Sequence, residues 1–143
     1  MNAPLLFAAL ALGAPAPKDK DTAAQLYGMW EMEETAEEAR LREIEKRDGP
    51  YRWRFNRDGT WQVFQGDKEV AERRSFEFNP KGEPPTIDFN TPPTPKNSSL
   101  ILGIYKIEGD SLTICCSYAD RPRPREFISA GGIYVQRLRR VKD

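Results

Sequence analysis

Histidine is absent from all 143 residues. That excludes the imidazole general base, the serine and cysteine triads that depend on one, and every histidine-containing zinc site. Cysteine is nearly absent, with only Cys115 and Cys116 present. Neighbouring residues on a strand point to opposite faces, so an ordinary bridge between them is geometrically poor, and two free thiols packed as small apolar groups are expected. Net charge is missing as well, since 22 basic residues balance 22 acidic ones. No overall field draws the chain to nucleic acid or to an anionic membrane, and no nucleic-acid partner is expected. The longest apolar run, Pro4 to Ala14, is too short to span a bilayer as a helix. No carboxylate pair stands at a motif spacing and no metal-ligand cluster is visible, so no catalytic residue, cofactor or metal is assigned. An enzyme built on this chain would have to work with Asp, Glu, Tyr, Lys or a thiol.

What is present begins with MNAPLLFAALALGAPAPKDKD, an apolar run followed by small residues and a charged spacer. It reads as a signal peptide over residues 1–16, a flexible spacer over 17–25 and one domain over 26–143. The expected product is extracytoplasmic, periplasmic or secreted, with no stable membrane insertion after cleavage. The eleven arginines from Arg52 to Arg140 fall in expected strands or their turns, where charges guard strand faces that meet water.

The body of the chain alternates with period two. Leu26 to Glu33 sets Leu26, Gly28, Trp30 and Met32 against Tyr27, Met29 and Glu31. Thr35 to Arg47 is the one helical segment, with Thr35 as N-cap, Glu38 completing a capping box, and Glu38/Arg42 and Glu43/Arg47 at i,i+4 spacing. Its apolar stripe of Ala36, Leu41 and Ile44 is thin, which places it on the surface, as a solvated connection rather than a lid. YRWRF and TWQVFQ are strands joined through Asp58-Gly59, with Tyr51, Trp53 and Phe55 on one face. Further strands are expected over Glu69 to Phe78, Thr86 to Phe89, Leu100 to Glu108, Ser111 to Tyr118, Glu126 to Ser129 and Ile133 to Arg140. The hairpin turning at Gly109-Asp110 is apolar on both faces, hence central or covered, and Gly103 allows a bend. The fold class is all-β: an antiparallel barrel of about eight strands, with one short helix at about 35–47 after the first strand.

Gly28 and Trp30 resemble the Gly-x-Trp of the first lipocalin strand, and the rest of the pattern is similar to a β-barrel domain family abundant in planctomycete bacteria. The matching residues are Ile87 and Asp88 after a proline, then Gly103, Ile104, Tyr105, Gly109, Asp110, Leu112 and Cys115. Arg123, Pro124 and Phe127 follow, and Leu138 with Arg140 closes the match. The resemblance implies a lipocalin-like barrel in an extracytoplasmic setting and supplies neither ligand nor reaction. In lipocalins an arginine of the last strand covers the tryptophan at the barrel base; the resemblance offers Arg137, Arg139 or Arg140 for that part.

Three functions fit. In the first, the barrel binds one small apolar or carboxylate-bearing ligand, with Tyr105 and Arg123 as polar anchors among Trp30, Trp53, Phe55 and Phe127. Gly28, Gly103, Gly109, Asp110 and Arg140 are then structural. In the second, the same aromatics fill the barrel, and its surface meets an envelope protein. The third is an enzyme without histidine or metal.

Overall fold

A computed structural model of the chain describes residues 24–90, 100–118 and 121–142. The expected signal peptide, and the expected spacer up to residue 23, lie outside the described residues. Residues 24 and 25 of that spacer belong instead to a helical turn over 24–26.

The elements in chain order are β1 (Gly28–Met32), α1 (Ala36–Ile44), β2 (Tyr51–Phe55), β3 (Thr60–Gln65), β4 (Lys68–Glu69) and β5 (Arg74–Asn79). They continue as β6 (Thr86–Asn90), β7 (Leu100–Glu108), β8 (Ser111–Ser117) and β9 (Ile133–Arg140). Every pairing is antiparallel, and apart from the short β4 each strand lies beside its neighbour in sequence. Pairing of β9 with β1 closes eight strands into an up-and-down barrel, with β4 as an extra strand on β3. Closure removes the open sheet edge, so the backbone groups of the strands satisfy one another.

Carried strand by strand from the Trp30–Arg140 pair, the registers advance about twelve residues before they return to β9. The packed (β/α)8 barrel, with the same number of strands, staggers by about 8. A larger stagger leans each strand further from the barrel axis, so each occupies more of the circumference and the interior is wider.

Alternation assigns the faces. Trp30 of β1 pairs with Trp53 of β2, which pairs with Val63 of β3, and the rest of the lumen-facing set follows by twos. At one end of the barrel Leu26, Trp30, Phe55, Tyr105, Leu112 and Leu138 are fully buried. Around that core Met32, Trp53, Trp61, Ile101 and Tyr134 toward the other end, and Tyr27, Phe78 and Ile107 near the first, stay partly exposed. The barrel is therefore plugged at its base by Trp30 and Leu26, and its mouth keeps two tryptophans partly open.

Several expectations are revised. Glu126 to Ser129 forms no strand; residues 121–130 run as an irregular strap over the outside of β7 and β8, with one isolated bridge, Ala130–Ile133. Pro122 and Pro124 remove donors there, which opposes a ladder. The segment expected as one strand over Glu69 to Phe78 is broken into β4 and β5. The helix ends at Ile44, short of Arg47, with Lys46 in the left-handed region at φ 56°. Its capping box forms: Thr35 Oγ1 accepts from the Glu38 amide at 3.1 Å, and Glu38 Oε1 accepts from the Thr35 amide at 2.9 Å. Glu38 and Glu43 do not take the partners their spacing offers. Arg42 turns back to Glu34 at 3.0 Å and Arg47 to Glu45 at 3.3 Å. No residue of α1 is buried, so the helix lies on the surface, as its thin apolar stripe implies.

Candidate functional site

The base of the barrel is built around Trp30. Its Nε1 donates to Leu26 O at 2.9 Å, pulling the helical turn across the opening. Of the three arginines considered for covering it, Arg140 does so, with its guanidinium carbon 4.1 Å from the ring centroid. The same guanidinium donates to the carbonyls of Tyr27, at 3.4 Å, and Gln25. Gly28, at φ 114°, sits where a Cβ would lie 3.7 Å from the Arg140 guanidinium, so backbone and cation approach closely there. Gly109, at φ 63°, turns the β7–β8 hairpin, and Asp110 O accepts from the Arg140 amide at 2.8 Å. Gly28, Gly109, Asp110 and Arg140 thus lie together around the base, at a turn, a seam and a close approach.

The residues expected to bind a ligand do not converge. Trp30, Phe55 and Tyr105 are in the plugged base, and Trp53 stands above them toward the mouth. Arg123 lies outside the barrel, on the strap. Its Nη1 and Nη2 donate to Asp88 Oδ1 at 2.5 Å and Oδ2 at 3.2 Å, and Nη1 also donates to Gly103 O at 2.8 Å. Phe127 is outside too, with Lys106 Nζ 4.9 Å from its ring centroid. Strand alternation explains the separation: Tyr105 faces inward with Ile87 and Ile101, whereas Asp88, which Arg123 grips, faces outward. The anchor pair Tyr105–Arg123 is therefore withdrawn, and the fork of Arg123 is a clasp for the strap.

The strap explains why the hairpin is apolar on both faces. Ile104 and Cys115, opposite one another on β7 and β8, are buried beneath it on the outer side. Cys115 Sγ donates to Glu126 O at 3.3 Å, and Ser117 Oγ donates to Pro122 O. Both thiols are free, and they do face opposite ways: Cys115 is under the strap and Cys116 is in the barrel core. Burial pushes the Cys116 thiol up to about 12, only partly opposed by its hydrogen bond to Tyr134. Neither thiol has the lowered pKa of an activated nucleophile, since burial raises Cys115 as well.

Toward the mouth, Trp53, Trp61 and Phe89 form an aromatic triangle, with centroid separations of 5.3 Å, 4.9 Å and 6.1 Å. Two buried donors in the barrel wall, Trp61 Nε1 and Tyr105 Oη, have no hydrogen-bond partner. Unpartnered buried donors are uncommon and costly. Arg74, opposite Trp61 in the ladder, also belongs to the inward set with Phe76 and Phe78. Trp61, Arg74, Tyr134 and Gln136 were not singled out from the sequence. Stepping the alternation back from Phe76 to Arg74, and from Leu138 to Gln136, would have found two of them.

Comparison with protein-family models, curated proteins and solved structures finds no match for this chain. Among the described residues, no group of three or more Cys, Asp or Glu side chains is placed to hold a metal ion. No helix among them is long and apolar enough to cross a membrane.

Proposed function

We propose that this chain is an extracytoplasmic, lipocalin-like binding module that takes one small, largely apolar ligand through the mouth of its barrel. The observation that carries this reading is a pair of tryptophans, Trp53 and Trp61, left partly exposed toward the mouth of a barrel whose base Trp30 and Leu26 plug. A barrel serving only as a packed scaffold gains nothing by leaving two tryptophans incompletely covered, since burial of such large rings stabilises most. The wide stagger of the strands supports the same reading, because an eight-stranded barrel has room for side chains or for one small ligand.

The experiment is native mass spectrometry of the chain purified from its own envelope, compared with the same sample after denaturation. Extra mass on the order of a few hundred daltons, lost on denaturation, is expected. A bare monomer mass, together with no quenching of tryptophan fluorescence by any apolar compound tried, would replace this reading with a filled barrel whose surface serves an envelope partner.

A further inference from the structure

Among the described residues of the eight barrel strands, the lumen-facing positions carry two charges, Arg74 and Arg140, and no carboxylate. The assignment follows from the registers, which pair Arg74 with inward Trp61, and Arg140 with inward Trp30. Arg140 is accounted for by the base, where it covers Trp30 and binds carbonyls of the entering chain. Arg74 has no such task. It pairs with Glu72, its Nη2 lying 3.5 Å from Glu72 Oε2, and the Glu72 side chain is 79% exposed against 26% for Arg74. An ion pair with so exposed a carboxylate contributes little and exchanges readily with water. A guanidinium held at a barrel mouth, with an aromatic triangle below it, is placed to meet an anion arriving with an apolar body.

The geometry points to Arg74 as the head-group anchor of the barrel, and to an amphiphile with one carboxylate head and an apolar tail or ring system as the ligand class. This rests on the mouth of the barrel being the binding site. The tail packs on Trp53 and Trp61, the partly exposed members of the triangle, while the carboxylate accepts from the Arg74 guanidinium in place of Glu72.

The test uses the full domain and two probes with the same tail, oleate and oleyl alcohol, followed by tryptophan fluorescence and by calorimetry. Oleate is expected to bind at least tenfold more tightly than oleyl alcohol. Arg74→Gln should abolish that difference, Arg74→Lys should keep part of it, and Glu72→Gln, by removing the competing carboxylate, should strengthen oleate binding alone. Glu72 is exposed, so that variant keeps the test open should Arg74→Gln fold poorly. Equal binding of both probes to the native chain, or discrimination unchanged in both Arg74→Gln and Glu72→Gln, overturns the anchor while leaving the barrel as a binding site. Binding of neither probe removes the binding site and the anchor together.

Discussion

The guanidinium of Arg140 lies over the indole of Trp30, 4.1 Å from its centroid, across the seam where the last strand meets the first. One side chain thereby joins the two ends of the sheet and, through the carbonyls of Gln25 and Tyr27, holds the chain that plugs the base. Arg140→Ala removes a cation–π contact of about 1 kcal/mol and leaves carbonyls to find water at a partly buried site. A loss of about 2 kcal/mol in urea unfolding is expected, with Arg140→Lys recovering the charge over the ring but not the fork. An alanine variant as stable as the parent would show that packing alone closes the barrel.

Tyr105 is 1% exposed, and its hydroxyl has no partner. Burial, with a smaller contribution from Tyr27, pushes its pKa from 10.0 up to about 12. The folded state therefore holds a proton that the unfolded chain releases. The corresponding stability is complete below about pH 10 and is lost as pH rises toward 12. In the ligand-free protein, Tyr105→Phe should stabilise the fold by about 1 kcal/mol at neutral pH, by removing an unsatisfied buried hydroxyl. It should also flatten the decline of stability between pH 10 and 12. Cys116 and Tyr134, which burial likewise raises, keep some of the slope. A destabilised Tyr105→Phe variant would mean that the hydroxyl is satisfied, by water or by ligand.

The strands were legible because their cause is local. Alternation at period two, with Gly59 and Gly109 at positive φ in the turns, marked seven of the eight barrel strands to within a few residues. The capping box at Thr35 and Glu38 was legible for the same reason. The mistaken site came from a relation that no local pattern encodes. Arg123 and Asp88 are 35 residues apart in sequence and meet outside the barrel, so a chemically apt pair, Arg123 with Tyr105, was assembled across a wall. An apolar outer face on β7 and β8 can be covered by irregular chain as well as by a ladder, so local pattern over residues 126–129 does not separate a strap from a strand.

The clasp on that strap can be tested by itself. The Arg123 and Asp88 side chains are 33% and 23% exposed, so the pair is only partly screened by solvent. Each single replacement, Arg123→Ala or Asp88→Ala, leaves the other charge half-buried and is expected to cost about 1 to 2 kcal/mol. The effect should be concentrated in the strap, so hydrogen exchange of residues 121–130 should accelerate while β1 to β3 are unchanged. In a double-mutant cycle the two losses should fall well short of adding, because both remove one interaction. Full additivity would show that the contact contributes nothing as a pair. Ligand affinity at the mouth should be unaffected by either replacement, in contrast to Arg74→Gln.

Gly103 is the position where the sheet tolerates least. A Cβ there would stand 2.7 Å from Cys116 Sγ, 2.9 Å from Cys115 O and 3.1 Å from Ile87 O. The first obstacle is a side chain, but the other two are backbone carbonyls of the strands on either side, and both strands are held by continuous ladders. Gly103→Ala is therefore expected to destabilise by about 3 kcal/mol, through overpacking that the barrel cannot relieve by a rotamer change. Cys116→Gly in the same chain should recover only a fraction, since it clears the sulfur and leaves the carbonyls in place. Displacing β6 or β8 would also disturb Gly103 O, which accepts from Arg123. The Gly103→Ala variant should accordingly lose protection in the strap at denaturant concentrations below its global midpoint. If it instead unfolds in a single step, with strap and barrel coincident and with parent-like stability, the close approach of the three strands at Gly103 is not a constraint on this fold.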